Sequence, residues 1–204
     1  MFKELISPEE IEPMELISFP GKIKVIDKTG PDLDYAVEYL SSQRMIGFDT
    51  ETRPVFTPRT PRNKTALLQL SGHEEAFLFR LNKIGLPKCV AEIMADQSIT
   101  KIGAAVGEDI RGLCEHRSFS AARFMDLQQL GFLHGIREKS VRKMAAIIFG
   151  KKVSKAQQCS NWEADPLSEP QQLYAATDAW ICLEMYKELL ASPLVDLPPL
   201  NPQQ

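Results

Sequence analysis

The sequence predicts an α/β fold in which a central mixed β-sheet is flanked by α-helices. Three observations carry the prediction. Short runs of strand length crowd the first half of the chain, and two of them lie close enough to form a hairpin. Runs with helical spacing alternate with the strands and then dominate. The composition, 204 residues with 44% hydrophobic and 25% charged side chains, is that of one buried core. A hairpin inside an otherwise alternating pattern makes the sheet mixed rather than all-parallel.

The elements follow in order. Residues 1–21 contain Pro8, Pro13 and Pro20 and read as an extended lead segment. Residues 22–27 (KIKVID) alternate like a strand, and 31–43 (PDLDYAVEYLSSQ) place Leu33, Ala36, Val37 and Leu40 at helical spacing. Residues 45–50 (MIGFDT) form a short apolar run of buried-strand type. The stretch 52–64 (TRPVFTPRTPRNK), with three prolines, four basic residues and no acid, is a loop. Residues 65–71 (TALLQLS) and 76–81 (AFLFRL) are strands joined by SGHEE as a hairpin. Residues 87–96 are helical with Pro87 in the first turn, 101–106 (KIGAAV) a strand, and 108–116 a helix. A short strand at 123–126 leads into helical LQQLGFLHG. Ser140 caps the next helix and Gly150 stops it. Ser168 and Gln171 have capping-box spacing for a last helix that runs to about residue 190. The domain therefore spans 22–192, followed by a proline-rich tail, 193–204, expected to fray.

Charge and cysteine content narrow the function classes. With 27 acids and 24 bases the net charge is −3, so any site for a polyanion must be a local basic patch or must carry metal ions. No stretch approaches the ~20 apolar residues of a membrane helix, and no membrane role is expected. Acids interrupt every apolar run of the first 22 residues, which excludes a signal-peptide block and predicts a cytoplasmic, intracellular protein. Cys89, Cys114, Cys159 and Cys182 lack CxxC pairing and read as buried free thiols in a reducing compartment. The histidines lack zinc-type spacing.

Four acids stand out by context. Asp49 and Glu51 end the apolar run MIGFDTET and, two apart in a strand, share a face. Asp109 follows the strand KIGAAV at the start of a helix, where negative charge is tolerated and where α/β sites gather. Asp178 sits in the apolar helix LYAATDAWICLEMY, with Tyr174 one turn earlier on the same face. Singly, each has a plainer reading: a solvated strand end, a helix-start acid, a structural acid satisfied by an arginine, a core aromatic. Jointly, three separate segments place acids where the pattern demands burial. Converging carboxylates repel one another unless divalent cations neutralise them. An all-oxygen ligand set suits magnesium or manganese, and two such ions are the arrangement for in-line phosphoryl displacement. A phenol beside the site could orient the attacking water.

IGFDTET, KIGAAVGEDIRGL and YAATDAW resemble the three exonuclease motifs of the DEDD superfamily. The Tyr174-xxx-Asp178 spacing resembles its tyrosine-type (DEDDy) branch, that of ribonuclease D and the Werner-syndrome exonuclease. TALLQLS and CSNWEADPLSEPQQLYAATDA extend the likeness, which covers roughly residues 22–190. The resemblance implies a ribonuclease H-like fold and a metal-dependent 3′–5′ exonuclease that releases nucleoside 5′-monophosphates. It implies that Asp49, Glu51, Asp109 and Asp178 bind two divalent cations, Mg2+ or Mn2+, with Asp49 bridging them, and that Tyr174 helps place the water. The expected partner is a single-stranded 3′ end of DNA or RNA. Asp165 stands where such proteins often carry a basic residue.

Two basic stretches are candidates for phosphate contact. One is the loop with Arg53, Arg59, Arg62 and Lys64, directly after the first motif; the other runs from Arg137 to Lys155. Either could be a solvated face. Phe56 could wedge against a terminal base or simply pack the loop, and Gln69 could line the cleft or point outward. Trp162 reads as packing. The alternatives to an exonuclease are a non-catalytic nucleic-acid-binding module on the same fold and an endonuclease on a related one.

Overall fold

The structure, a computed structural model, describes residues 1–57 and 59–194. Its centre is a six-stranded sheet built from β1 (Lys22–Ile26), β2 (Met45–Thr52), β3 (Thr65–Ser71), β4 (Glu75–Arg80), β5 (Thr100–Gly103) and β6 (Phe124–Asp126), in the order β1-β4-β3-β2-β5-β6. β3 is antiparallel to both neighbours and the remaining pairs are parallel, so the sheet is mixed as expected. The hairpin is the β3–β4 pair. Gly72 closes it, its N–H donating to the Glu75 carbonyl at 2.9 Å.

Strand alternation separates two layers of core. Phe48, Leu68, Leu70, Phe77 and Phe79 face α2 (Pro31–Ser41) and α4 (Lys88–Ala95), meeting Leu33, Leu40, Val90 and Met94. Residues of the opposite parity, such as Leu67, Ala76 and Leu78, lie under the long α8 (Glu169–Ala191). That helix is buried nearly all round, from Ala175 and Ala179 on one side to Leu183 and Met185 on another, because the sheet and α7 (Val141–Phe149) both cover it. Its start is fixed by the capping box of Ser168 and Gln171. Ser140 caps α7 and Gly150, at φ 64°, stops it in the left-handed region that favours glycine.

Three expectations need correction. Residues 1–21 are not merely extended. Ser7 and Glu10 form a capping box for α1 (Pro8–Ile11), and Ile6, Ile11 and Phe19 are buried. The segment is tied down by Phe19 N–H donating to Thr177 Oγ1 at 3.0 Å and by Ile17 N–H donating to the Lys152 carbonyl at 2.9 Å. Its few apolar residues were too widely spaced to show this, since their partners lie on α7 and α8. Second, α5 (Val106–Cys114) starts two residues early because the chain turns sharply at Ala105, φ 56°; a further short helix, α3 (Leu81–Ile84), follows β4 directly. Third, the cysteines are all free but only Cys182 is buried; Cys89 and Cys114 are half-buried and Cys159 is exposed. The tail expected to fray falls largely on 195–204, outside the described residues. Among the described residues, no helix is long and apolar enough to cross a membrane.

Candidate active site

The site begins with a glycine. Gly47, Asp49 and Glu51 share the face of β2 that α8 covers, while Phe48 points into the opposite core. A Cβ at Gly47 would lie 1.9 Å from the Ala179 carbonyl oxygen, so only glycine lets the helix backbone touch the strand. That contact brings the neighbouring Asp178 level with the next two positions of the strand. Asp49, Glu51 and Asp178 each offer a carboxylate oxygen, all within 4.8 Å of one another. Tyr174, one helical turn before Asp178, stacks its ring against the fully buried Trp162 at 5.8 Å between centroids.

Asp109 stands at the rim. It lies in the first turn of α5, and its Oδ1 accepts a 2.5 Å hydrogen bond from Thr50 Oγ1. Thr50 separates Asp49 from Glu51 and therefore points to the other side of the strand. The structure thus gathers three of the four expected acids and ties the fourth to the residue between the first two. The turn before α5 is held by Asp126, whose Oδ1 accepts from the N–H groups of Ala105 at 3.1 Å and Gln128 at 2.9 Å. It links this turn to α6 (Leu127–Leu133).

The electrostatics are those of crowded acids that make no ion pair among the described residues. Burial, then the charges of Asp178 and Asp109, pushes Asp49 well above the usual carboxylate range. Burial followed by Asp49 raises Glu51 to about 10. Burial raises Asp178 to about 7, with the Tyr174 hydroxyl working in the opposite direction. Asp109 is raised to about 6, chiefly by burial, with the Thr50 hydrogen bond and Arg62 opposing. The Tyr174 phenol is pushed up by burial and by Asp178 and Glu51, so it stays protonated. Hard carboxylate oxygens are the donor set magnesium and manganese prefer. Asp49, Glu51 and Asp178 could hold such an ion directly, and Asp109 sits close enough for its charge to be felt at Asp49 and Glu51.

The expected substrate contacts divide. Phe56 is 79% exposed on the loop after β2. Arg59 and Lys64 are exposed, without ion pairs among the described residues. Arg53 is held by Glu163 at 3.0 Å and Arg62 by Glu108 at 3.5 Å. Gln69 is a correction: it pairs in register with Asp49, but α8 covers β3, and its amide is wholly buried with neither polar atom bonded. It has no surface to offer a strand. Sequence reasoning missed Gly47 and Thr50. A glycine inside an apolar strand was the available signal for the first; nothing in the sequence announced the Thr50–Asp109 bond.

A mixed sheet carrying half-buried carboxylates, without ion pairs among the described residues, at the end of a central strand defines a class: an acidic, metal-type site suited to phosphodiester hydrolysis. A family model for 3′–5′ exonucleases matches residues 25–192. The chain belongs to this family, within the DEDD superfamily and the branch of ribonuclease D and the Werner-syndrome exonuclease. It is 29% identical over 186 residues to the mouse bifunctional 3′–5′ exonuclease/ATP-dependent helicase WRN, covering 86% of this chain and 13% of that protein. It is 35% identical over 151 residues to the exonuclease 3′–5′ domain-containing protein 2 of Drosophila melanogaster, covering 72% of this chain and 25% of the other. Among solved structures, Escherichia coli RNase D superposes with a TM-score of 0.72 at 27% identity, covering 83% of this chain and 44% of that one. The Nibbler EXO domain of Aedes aegypti, 24% identical, superposes with the same TM-score over 86% of this chain and 91% of its own, and shows the fold. The ribonuclease H-like architecture expected from the motifs is therefore the observed one. The chain spans a quarter or less of the two curated relatives named here.

Proposed function

We propose that this chain hydrolyses phosphodiester bonds at the 3′ ends of single-stranded nucleic acid and releases nucleoside 5′-monophosphates, using two divalent cations, Mg2+ or Mn2+. The observation that carries the reading is the three-carboxylate group of Asp49, Glu51 and Asp178 with Tyr174 beside it. Three acids hold carboxylate oxygens within 4.8 Å of one another although burial and mutual charge work against ionising them. Such an arrangement is costly for a domain that only binds, and useful for one that must seat divalent cations. Cations bound there supply charge neutralisation at the reacting phosphate and make a water nucleophilic near neutral pH.

The chain's own groups take the remaining roles. Asp49, Glu51 and Asp178 would hold the cations through their carboxylate oxygens. Asp109, anchored by Thr50, adds a fourth negative charge from the rim. Tyr174 keeps its proton and donates a hydrogen bond that orients the attacking water; with its phenol pushed upward it is no base. The loop bearing Phe56, Arg59 and Lys64 is exposed directly after β2, where an incoming strand would pass. The test is digestion of 5′-labelled single strands of DNA and RNA with magnesium or manganese. The expected result is a ladder that shortens from the 3′ end, with circular single strands left intact. A folded sample that degrades nothing under either metal would refute the reading, and cleavage of the circle would turn it into an endonuclease.

A further inference from the structure

The basic run from Arg137 to Lys155 is divided by its partners. Arg137 pairs with Glu4, Lys143 with Glu138 at 2.9 Å and Lys151 with Glu15 at 4.0 Å, while Lys152 Nζ donates to the Glu12 carbonyl. The docked lead segment thus absorbs much of the charge that the sequence displays. Arg142 is different. Among the described residues its side chain makes no ion pair and no hydrogen bond, yet it is half-buried and its Nε is sealed from solvent without an acceptor. It lines a cleft of about 270 Å3 together with Ser140, Val153, Lys155, Tyr174 and Asp178. Lys155 in the same cleft is exposed and also unpaired among the described residues.

A guanidinium that has lost water on one side needs an acceptor to replace it. Asp178 shares the cleft but is not paired with Arg142. The terminal nitrogens of Arg142, unlike its Nε, are not sealed, so an oxyanion that enters the cleft shared with Tyr174 meets these two donors. We propose that Arg142 binds a backbone phosphate of the substrate strand, one that neighbours the cleaved bond and does not itself react, with Lys155 as a second positive charge. The proposal rests on the nuclease reading of the site. The planar fork of arginine matches two phosphate oxygens at once, which lysine cannot do. A contact made equally before and during reaction sets binding rather than turnover.

The test pairs kinetics with metal-free binding. Arg142→Ala is expected to raise KM about tenfold, the worth of one charge-assisted hydrogen-bonded contact, while kcat stays within about twofold. In EDTA, anisotropy of a labelled single-stranded oligonucleotide is expected to show about tenfold weaker binding, with a salt slope shallower by about one. Arg142→Lys, the milder change should alanine fail to fold, is expected to recover part of the loss. Lys143→Ala, whose charge Glu138 already satisfies, should bind like the parent. Binding, KM and salt slope unchanged in Arg142→Ala would overturn the proposal, as would a collapse of kcat at constant KM, or a parent protein that binds no strand. A parent that binds the strand but never cleaves it would sink the nuclease reading while the anisotropy still decides the role of Arg142.

Discussion

The two faces of β2 are made by alternate residues of one strand and behave as two different materials. One face carries Ile46 and Phe48, fully buried against α2 and α4 and matched by Leu68, Leu70 and Phe77. The other carries Gly47, Asp49 and Glu51 beneath α8. The first face is chosen for contact area; the second gives up area for a backbone contact and places charges that the fold does not neutralise. The strand shows that stability and chemistry can occupy the same eight residues, provided the two-residue period keeps them apart.

The comparison breaks most sharply in substitutions. Asp49→Ala or Asp178→Ala should abolish nuclease activity, a loss of at least about a thousandfold, while leaving the melting temperature unchanged or raised, because a crowded, half-buried acid is removed. Phe48→Ala should do the reverse, costing about 3–5 kcal/mol of stability in denaturant titrations. A melting temperature that drops as far in Asp178→Ala as in Phe48→Ala would erase the distinction. Gly47→Ala tests the link between the faces. Its Cβ would meet backbone atoms of Ala179 at 1.9 and 2.6 Å, so α8 must shift. We expect a stability loss of about 1–3 kcal/mol together with a disproportionate fall in activity, read by unfolding and digestion assays on one sample. Tyr174→Phe should lower kcat by about a hundredfold with little change in manganese affinity by calorimetry.

The same comparison predicts a pH dependence of stability. Without cations, Asp109 at about 6, Asp178 at about 7 and Glu51 at about 10 all lie above their unfolded values near 4. The folded state therefore holds more protons than the unfolded one above about pH 4, and stability falls as pH rises through 6 and 7. Added manganese should flatten that fall, and its affinity should strengthen with pH as the protons leave. Melting curves between pH 5 and 8, with and without manganese, check both. A cation-free protein that gains stability over that range would show the acids to be satisfied in some other way.

How much of this was legible in the sequence follows the range of the interactions. Strands, hairpin, caps and the last helix were readable because apolar periodicity and capping residues are local; Ser168 with Gln171 and Gly150 needed nothing beyond their own segments. The acids were legible as types in costly places, and the motif resemblance gave them an order in the chain. What was hidden depends on which segments meet. Burial of Ile11 and Phe19 needs α7 and α8, the bond from Thr50 to Asp109 joins a strand to a helix, and the covering of Gln69 requires knowing that β3 runs beneath α8. The charge run at 137–155 could not be divided from sequence for the same reason, since three of its four partners, Glu4, Glu12 and Glu15 against Glu138, come from the first fifteen residues.

The central claim is that acids distant in the chain are folded into one pocket that takes up divalent cations. Anomalous diffraction from a manganese-soaked crystal measures this directly. The account predicts manganese density contacted by Asp49, Glu51 and Asp178, with Asp109 turned toward it and Tyr174 alongside. Carboxylates that stay apart, or that bond to arginines with no manganese between them, would contradict it.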